Sequence, residues 1–229
     1  MIISNDKTVL YLGVAKTGTV TMQDVLVNYG NNFTRSRHQT FIQIRDRYPD
    51  LTDFTAVKVY AMYRDPVERF ASAYNYLITK CTGGMYDRFP ELFTRMAPPP
   101  QLFYKNPADV PAEIQAIAQT ITPRMVIESL FQRKWNFDIF SIQCDYWTYC
   151  NATILPFSDF DNSAKTIIAA FNGDTSIVIP KLNSADHNVL DNFADADTID
   201  LIKNYYIKDY AFAPDWVPRP APLTELPIY

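Results

Sequence analysis

Two mostly apolar runs dominate the first third of the chain, each followed by a short polar loop and then by helical periodicity. In the first, Val9-Leu10-Tyr11-Leu12-Gly13-Val14 reads as a strand buried on both faces. It breaks into Ala15-Lys16-Thr17-Gly18-Thr19, and from Val20 apolar residues recur at helical spacing to about residue 29, where Gly30 is expected to close the helix in a left-handed conformation. The second unit repeats the pattern: a β-rich run over 55–63, then Arg64-Asp65-Pro66, then a helix over 67–79 with Pro66 in its first turn. Both loops fall at the carboxyl end of a strand, where open α/β sheets place their ligands.

Elsewhere the pattern is shorter in range. Residues 31–40 read as a short strand or extended segment, and 41–48 as an amphipathic helix closed by Pro49, with His38 just ahead of its start. The stretch 80–109 is punctuated by Gly83-Gly84, Pro98-Pro99-Pro100 and Asn106-Pro107, and reads as an irregular lid or substrate loop. Helices follow over 111–121 and 123–133, each with a proline in its first turn. The aromatic-rich 135–150 suits core packing. A strand at 153–157, a helix over 161–171 stopped by Asn172-Gly173, a strand or edge at 176–180, a polar loop at 181–188 and a final helix over 197–210 complete the order. The tail, 213–229, carries too many prolines for regular structure. Strands alternating with helices predict α/β class: one domain over 1–229, a three-layer α/β/α arrangement around a mainly parallel sheet.

Composition adds limits. The 229 residues are 48% hydrophobic and 20% charged, with a net charge of −4. That balance gives no basic surface for nucleic acid or an anionic membrane, so a bound anion has to be held by a local cluster, for which Arg35, Arg37, Arg64 and Arg69 are candidates. The N-terminus leads straight into the first strand with no signal-peptide pattern, and no apolar run reaches the roughly twenty residues of a membrane span; a cytoplasmic protein is expected. Cys81, Cys144 and Cys150 have no metal-ligand spacing and read as reduced packing residues, a Cys144–Cys150 bridge being the alternative. No metal is implied.

A strand-loop-helix junction aims backbone N–H groups, the positive end of a helix dipole and here one lysine at a single spot, which suits a phosphate-like anion. Lys16 with the hydroxyls of Thr17 and Thr19 would close such a cradle. The nucleoside-triphosphate loop requires Gly-Lys-Ser/Thr; here Lys16 precedes Gly18 and no Gly-Lys pair exists.

The order Lys16-Thr17-Gly18-Thr19 resembles instead the 5′-phosphosulfate loop of sulfotransferases that use 3′-phosphoadenosine 5′-phosphosulfate (PAPS), in which Pro-Lys-Thr/Ser-Gly-Thr/Ser follows the first strand. Residues 64–74, Arg64-Asp65-Pro66-Val67-Glu68-Arg69-Phe70-Ala71-Ser72-Ala73-Tyr74, match Arg-x-Pro-x-x-Arg-x-x-Ser-x-Tyr, the 3′-phosphate motif of that family and of its carbohydrate branch in particular. Leu182-Asn183-Ser184 is similar to a late loop of these enzymes, and residues 205–212 to their closing Tyr-Tyr-x-x-Asp-Tyr-x-Phe helix. Two positions depart from the pattern: Ala15 stands for the usual Pro and Val20 for a frequent Thr or Ser, with Thr21 a partial substitute for the missing hydroxyl.

The resemblance implies a P-loop-like sulfotransferase fold and transfer of a sulfuryl group from PAPS to an acceptor hydroxyl, a saccharide being the expected acceptor, with 3′-phosphoadenosine 5′-phosphate (PAP) as product. It implies cofactor contacts from Ala15, Lys16, Thr17, Gly18, Thr19, Val20, Thr21, Arg64, Ser72, Asn183 and Ser184. Lys16 is then the stabiliser of the leaving phosphate. Arg69 is expected to brace the site by ion pairing. A base is needed for the acceptor proton, and imidazole titrates near neutral pH: His38 lies where uronyl-type members carry a catalytic histidine, with His187 the second candidate. A small-molecule or nucleotide kinase with an atypical phosphate loop, or a non-catalytic nucleotide-binding protein, are the alternatives.

Overall fold

The computed structural model describes residues 1–32, 38–80, 89, 92, 110–132, 138–180 and 193–217. Arg35, Arg37, Cys81, Asn183, Ser184, His187, nearly all of the 80–109 stretch and the tail beyond Val217 lie outside the described residues. The chain groups into two compact units: residues 1–65, 141–184 and 206–229 form the first, and 66–140 with 185–205 the second.

The sheet belongs to the first unit and begins earlier than its sequence pattern indicates. Strands β1 (Ile2–Ser4) and β2 (Val9–Tyr11) form an antiparallel hairpin with Ile2 opposite Tyr11 and Ile3 opposite Leu10. Its turn is stitched by Ser4, whose Oγ accepts the N–H groups of Thr8 and Val9 at 3.1 and 3.0 Å. Adding β3 (Gly30–Asn32), β4 (Lys58–Tyr63) and β5 (Ala152–Pro156) gives the order β3-β1-β2-β4-β5. β2 pairs parallel with β4, and β4 with β5, while β1 runs against both of its neighbours. Four strands therefore share one direction, giving a mixed α/β unit with a mostly parallel sheet.

Alternation along the strands builds a core on each face. Ile3, Leu10, Leu12, Val59, Ala61 and Tyr63 pack with Phe41 and Ile44 of α2 (Phe41–Arg47) and with Cys144, Tyr146 and Trp147. Ile2, Val9, Tyr11 and Met62 point the other way, onto Met22, Val25 and Leu26 of α1 (Thr19–Leu26) and onto Ala164, Ile167 and Ile168 of the later helix Phe160–Ala170. A strand covered on both faces carries a nearly continuous apolar run, which is why β2 and β4 stand out in the sequence.

Local chemistry sets the element ends. α2 starts at a capping box: Thr40 Oγ1 accepts the Gln43 N–H, and the Gln43 side chain accepts the Thr40 N–H. β2 stops at Tyr11, short of the expected residue 14, because after the Leu12 N–H bonds Tyr60 O the Val14 N–H turns back to Leu12 O. α1 ends at Leu26, earlier than residue 29, and Gly30 is no left-handed cap: it sits in β3, where a Cβ would lie 2.3 Å from the Ile3 carbonyl oxygen. Close approach of backbone demands this glycine. Residues 176–180 form a turn and irregular backbone without a strand.

The second unit is helical in its described parts. α3 (Pro66–Lys80) buries Phe70, Ala71, Ala73 and Leu77, and packs with α4 (Ala112–Ala118), α5 (Pro123–Phe131) and the helix Ala196–Tyr205. The Phe70 ring meets Phe140 and Phe193 at centroid distances of 5.3 and 5.9 Å, and Tyr74 Oη donates to Ile121 O at 2.7 Å. Thr122 caps α5 by accepting the Met125 N–H, with Pro123 in the first helical position. The helix Phe160–Ala170, α6, belongs to the first unit and ends in a Schellman turn: Asn172 has φ 57°, and the Gly173 N–H bonds Ile168 O at 2.9 Å. The expected helix over 197–210 breaks at Tyr206 into α7 (Ala196–Tyr205) and α8 (Ile207–Ala211).

Candidate functional site

The loop between β2 and α1 is shaped by two residues at positive φ, Lys16 at 66° and Gly18 at 73°. Glycine takes this conformation freely, whereas at Lys16 it stores strain of about 1 kcal/mol or more, a cost found mostly at functional positions. Gly18 is also the N-cap of α1 and offers no side chain to its first turn, and no acidic residue occupies that turn. A Cβ on Gly18 would lie 2.3 Å from Phe160 Cε2, so ring and loop are in close contact.

Exposure alternates along the loop. Ala15, Thr17, Thr19 and Thr21 are buried, while Lys16 and Gly18 are half-buried and Val20 is exposed. The Thr17 and Thr19 hydroxyls both donate inward to Val14 O, the former at 2.9 Å. Contacts of these two residues with an anion are therefore left to their main-chain N–H groups, in contrast to a cradle closed by hydroxyls. Beneath them the Tyr11 hydroxyl is fully buried, and burial raises its ionisation well above the ordinary phenol value.

Two further side chains reach the same loop from elsewhere in the first unit. Arg64, just beyond β4, donates from Nη1 to Lys16 O at 3.3 Å, and its guanidinium lies 4.7 Å from the Phe157 ring centroid. The Lys16 ammonium is held down to about 8, chiefly by burial and secondarily by the Arg64 charge beside it. His38 Nδ1 donates to Gly13 O at 2.8 Å. A carbonyl can only accept, so the neutral ring carries its proton on Nδ1 and its basic lone pair on Nε2.

Lys16, Arg64 and His38, far apart in sequence, thus meet at one loop. Ser72 lies half-buried on α3 in the second unit. Arg69 is fully buried there and donates from Nη1 to Ile139 O at 3.5 Å. Cys144 and Cys150 are free thiols, each pushed up to about 12 mainly by burial, which leaves them unreactive at neutral pH. Phe157, Phe160, Gln143 and Asp209 also shape the site, and of these only Asp209 falls in a stretch tied to the family resemblance, the closing Tyr-Tyr-x-x-Asp-Tyr-x-Phe pattern.

The donor set suits an anion such as a phosphate or sulfate group. Two cationic side chains lie close enough for one to depress the other, at a helix start with no acidic neighbour in its first turn, so a shared phosphate or sulfate would relieve their repulsion. Among the described residues no group of three or more His, Cys, Asp or Glu side chains could hold a metal ion, and no helix is long and apolar enough to cross a membrane. Comparison of the chain with protein-family models, with curated proteins and with solved structures finds no match.

Proposed function

We propose that the protein is a PAPS-dependent sulfotransferase with a P-loop-like sulfotransferase fold, acting on an acceptor hydroxyl, that of a saccharide in the first instance. The observation that carries this reading is the approach of Arg64 to the Lys16 carbonyl, because it joins the two motif-bearing strand ends at one anion site. The motif over 64–74 assigns Arg64 and Ser72 to the 3′-phosphate, and the loop over 15–21 to the 5′-phosphosulfate, with Asn183 and Ser184 as further contacts from the sequence pattern.

PAPS would supply an activated sulfuryl group on a phosphate leaving group. In this reading Lys16, protonated below about pH 8, holds the phosphate oxygen on which charge develops. Main-chain N–H groups at the start of α1 add a fixed positive field. His38, oriented by its bond to Gly13 O, offers Nε2 to the acceptor proton, and His187 is the alternative base. Positioning and electrostatics carry such transfers, as in phosphoryl transfer.

Calorimetric titration tests the assignment. PAP is expected to bind at least tenfold tighter than 5′-AMP without magnesium, and Arg64→Ala to erase that preference. Equal affinities for the two nucleotides in the unaltered protein would refute it, and tighter binding of ATP with magnesium would favour a kinase.

A further inference from the structure

Arg64 lies one residue beyond the last strand pair of the parallel ladder, Tyr63 opposite Pro156, so no neighbouring strand holds its main chain. A glutamine takes that place. The Arg64 N–H donates to Gln143 Oε1 at 3.2 Å, and Gln143 Nε2 donates to Arg64 O at 2.7 Å, so one primary amide satisfies both main-chain groups as a paired strand would. Gln143 is fully buried, and its geometry is fixed in turn from α8. Both oxygens of the fully buried Asp209 accept main-chain N–H groups there: Oδ2 from Gln143 at 3.1 Å and Oδ1 from Cys144 at 2.8 Å. The next residue of α8, Tyr210, donates from Oη to Asp65 Oδ2 at 3.3 Å, and Lys208 pairs with Asp145. Consecutive side chains of one short helix therefore hold the segments on either side of Arg64's contacts.

We infer that Gln143, anchored by Asp209, is a positioning residue for the anion site: it locks the main chain of Arg64 so that the guanidinium stays at the Lys16 carbonyl. The inference rests on Arg64 being an anion ligand, as in the proposed function. It accounts for a buried glutamine and for a buried carboxylate that no chemical step uses, the aspartate of the closing Tyr-Tyr-x-x-Asp-Tyr-x-Phe stretch. Three hydrogen bonds in series, through Gln143, link Asp209 of α8 to the main chain of Arg64.

Gln143→Met, near in volume and unable to pair with either group, is the test, read in two ways. Amide hydrogen exchange at Arg64, which requires no ligand, is expected to accelerate at least tenfold, while protection in β2 stays as it was. PAP affinity is expected to fall about tenfold, the scale of one well-made hydrogen bond, and to fall no further when Gln143→Met is added to Arg64→Ala. A glutamine that only supports the fold would lower affinity equally in both backgrounds; that result, or unchanged exchange at Arg64, overturns the inference. Should Gln143→Met not fold, Gln143→Asn, which keeps the amide but is one methylene too short to span both the N–H and the carbonyl of Arg64, is read in the same way. If the unaltered protein does not prefer PAP to AMP, the sulfotransferase reading fails on its own, and the exchange arm, with Arg64-dependent binding of inorganic sulfate in place of PAP, still decides the positioning role.

Discussion

Replacing Lys16 with methionine should stabilise the protein at neutral pH while removing the proposed anion site. The folded state holds the Lys16 ammonium at about 8, against an ordinary lysine value of 10.5, because the charge is taken from water and set beside Arg64. Between those two values the unfolded chain binds a proton that the folded chain does not, so stability rises with pH across that window and is lowest where both states are protonated. At about 1.4 kcal/mol for each factor of ten, the full cost is at most about 4 kcal/mol, and solvent reaching the half-buried side chain reduces it to about 1–2 kcal/mol. Lys16→Met keeps the apolar stem and removes the charge. Urea unfolding at pH 7, 8.5 and 10 should show the variant more stable by that amount at pH 7, with its advantage shrinking as pH climbs through 8 toward 10.5. Arg64→Ala should recover the smaller part, since burial is the larger cause. Parallel stability profiles for Lys16→Met and the unaltered protein across this range would refute the reasoning. The same titration predicts that PAP affinity declines as the pH passes 8, where the ammonium is lost.

Gly18→Ala forces a side chain into φ 73° and against the Phe160 ring, and should destabilise by about 2 kcal/mol or more in urea unfolding; Phe160→Leu should restore part of that loss, and a silent Gly18→Ala would contradict the packing described. His38→Ala should lower turnover of labelled sulfate from PAPS by about a hundredfold or more while leaving PAP affinity within about twofold, the separation expected of a proton acceptor. Full activity in that variant would pass the base role to His187.

The element order was legible in the sequence wherever a segment is long or wholly buried. β4 and its following helix, α5 and α6 fall within a few residues of their expected limits, because burial along a strand and on one face of a helix leaves a strong apolar pattern; β5 falls there too, although none of its residues is fully buried. β1 escaped notice, since three residues are too few to show a period. Gly30 is ambiguous in the sequence because a glycine after a helix has two uses, a left-handed cap and a close backbone approach, and only the position of Ile3 distinguishes them. Asn172-Gly173 does stop α6, with Asn172 as the left-handed residue.

By itself the sequence determined the α/β alternation, the strand-loop-helix form of the Lys16 loop and the presence of a second cationic loop at Arg64, all of which depend on contacts near in the chain. Tertiary structure alone decided how these parts act on one another. It brought Arg64 and His38 to the carbonyls of Lys16 and Gly13, and set Gln143 and Asp209 behind Arg64. The physical reason is that local periodicity records which face of a segment is dry, whereas a hydrogen bond between residues many tens of positions apart leaves no pattern in the chain until the sheet has folded.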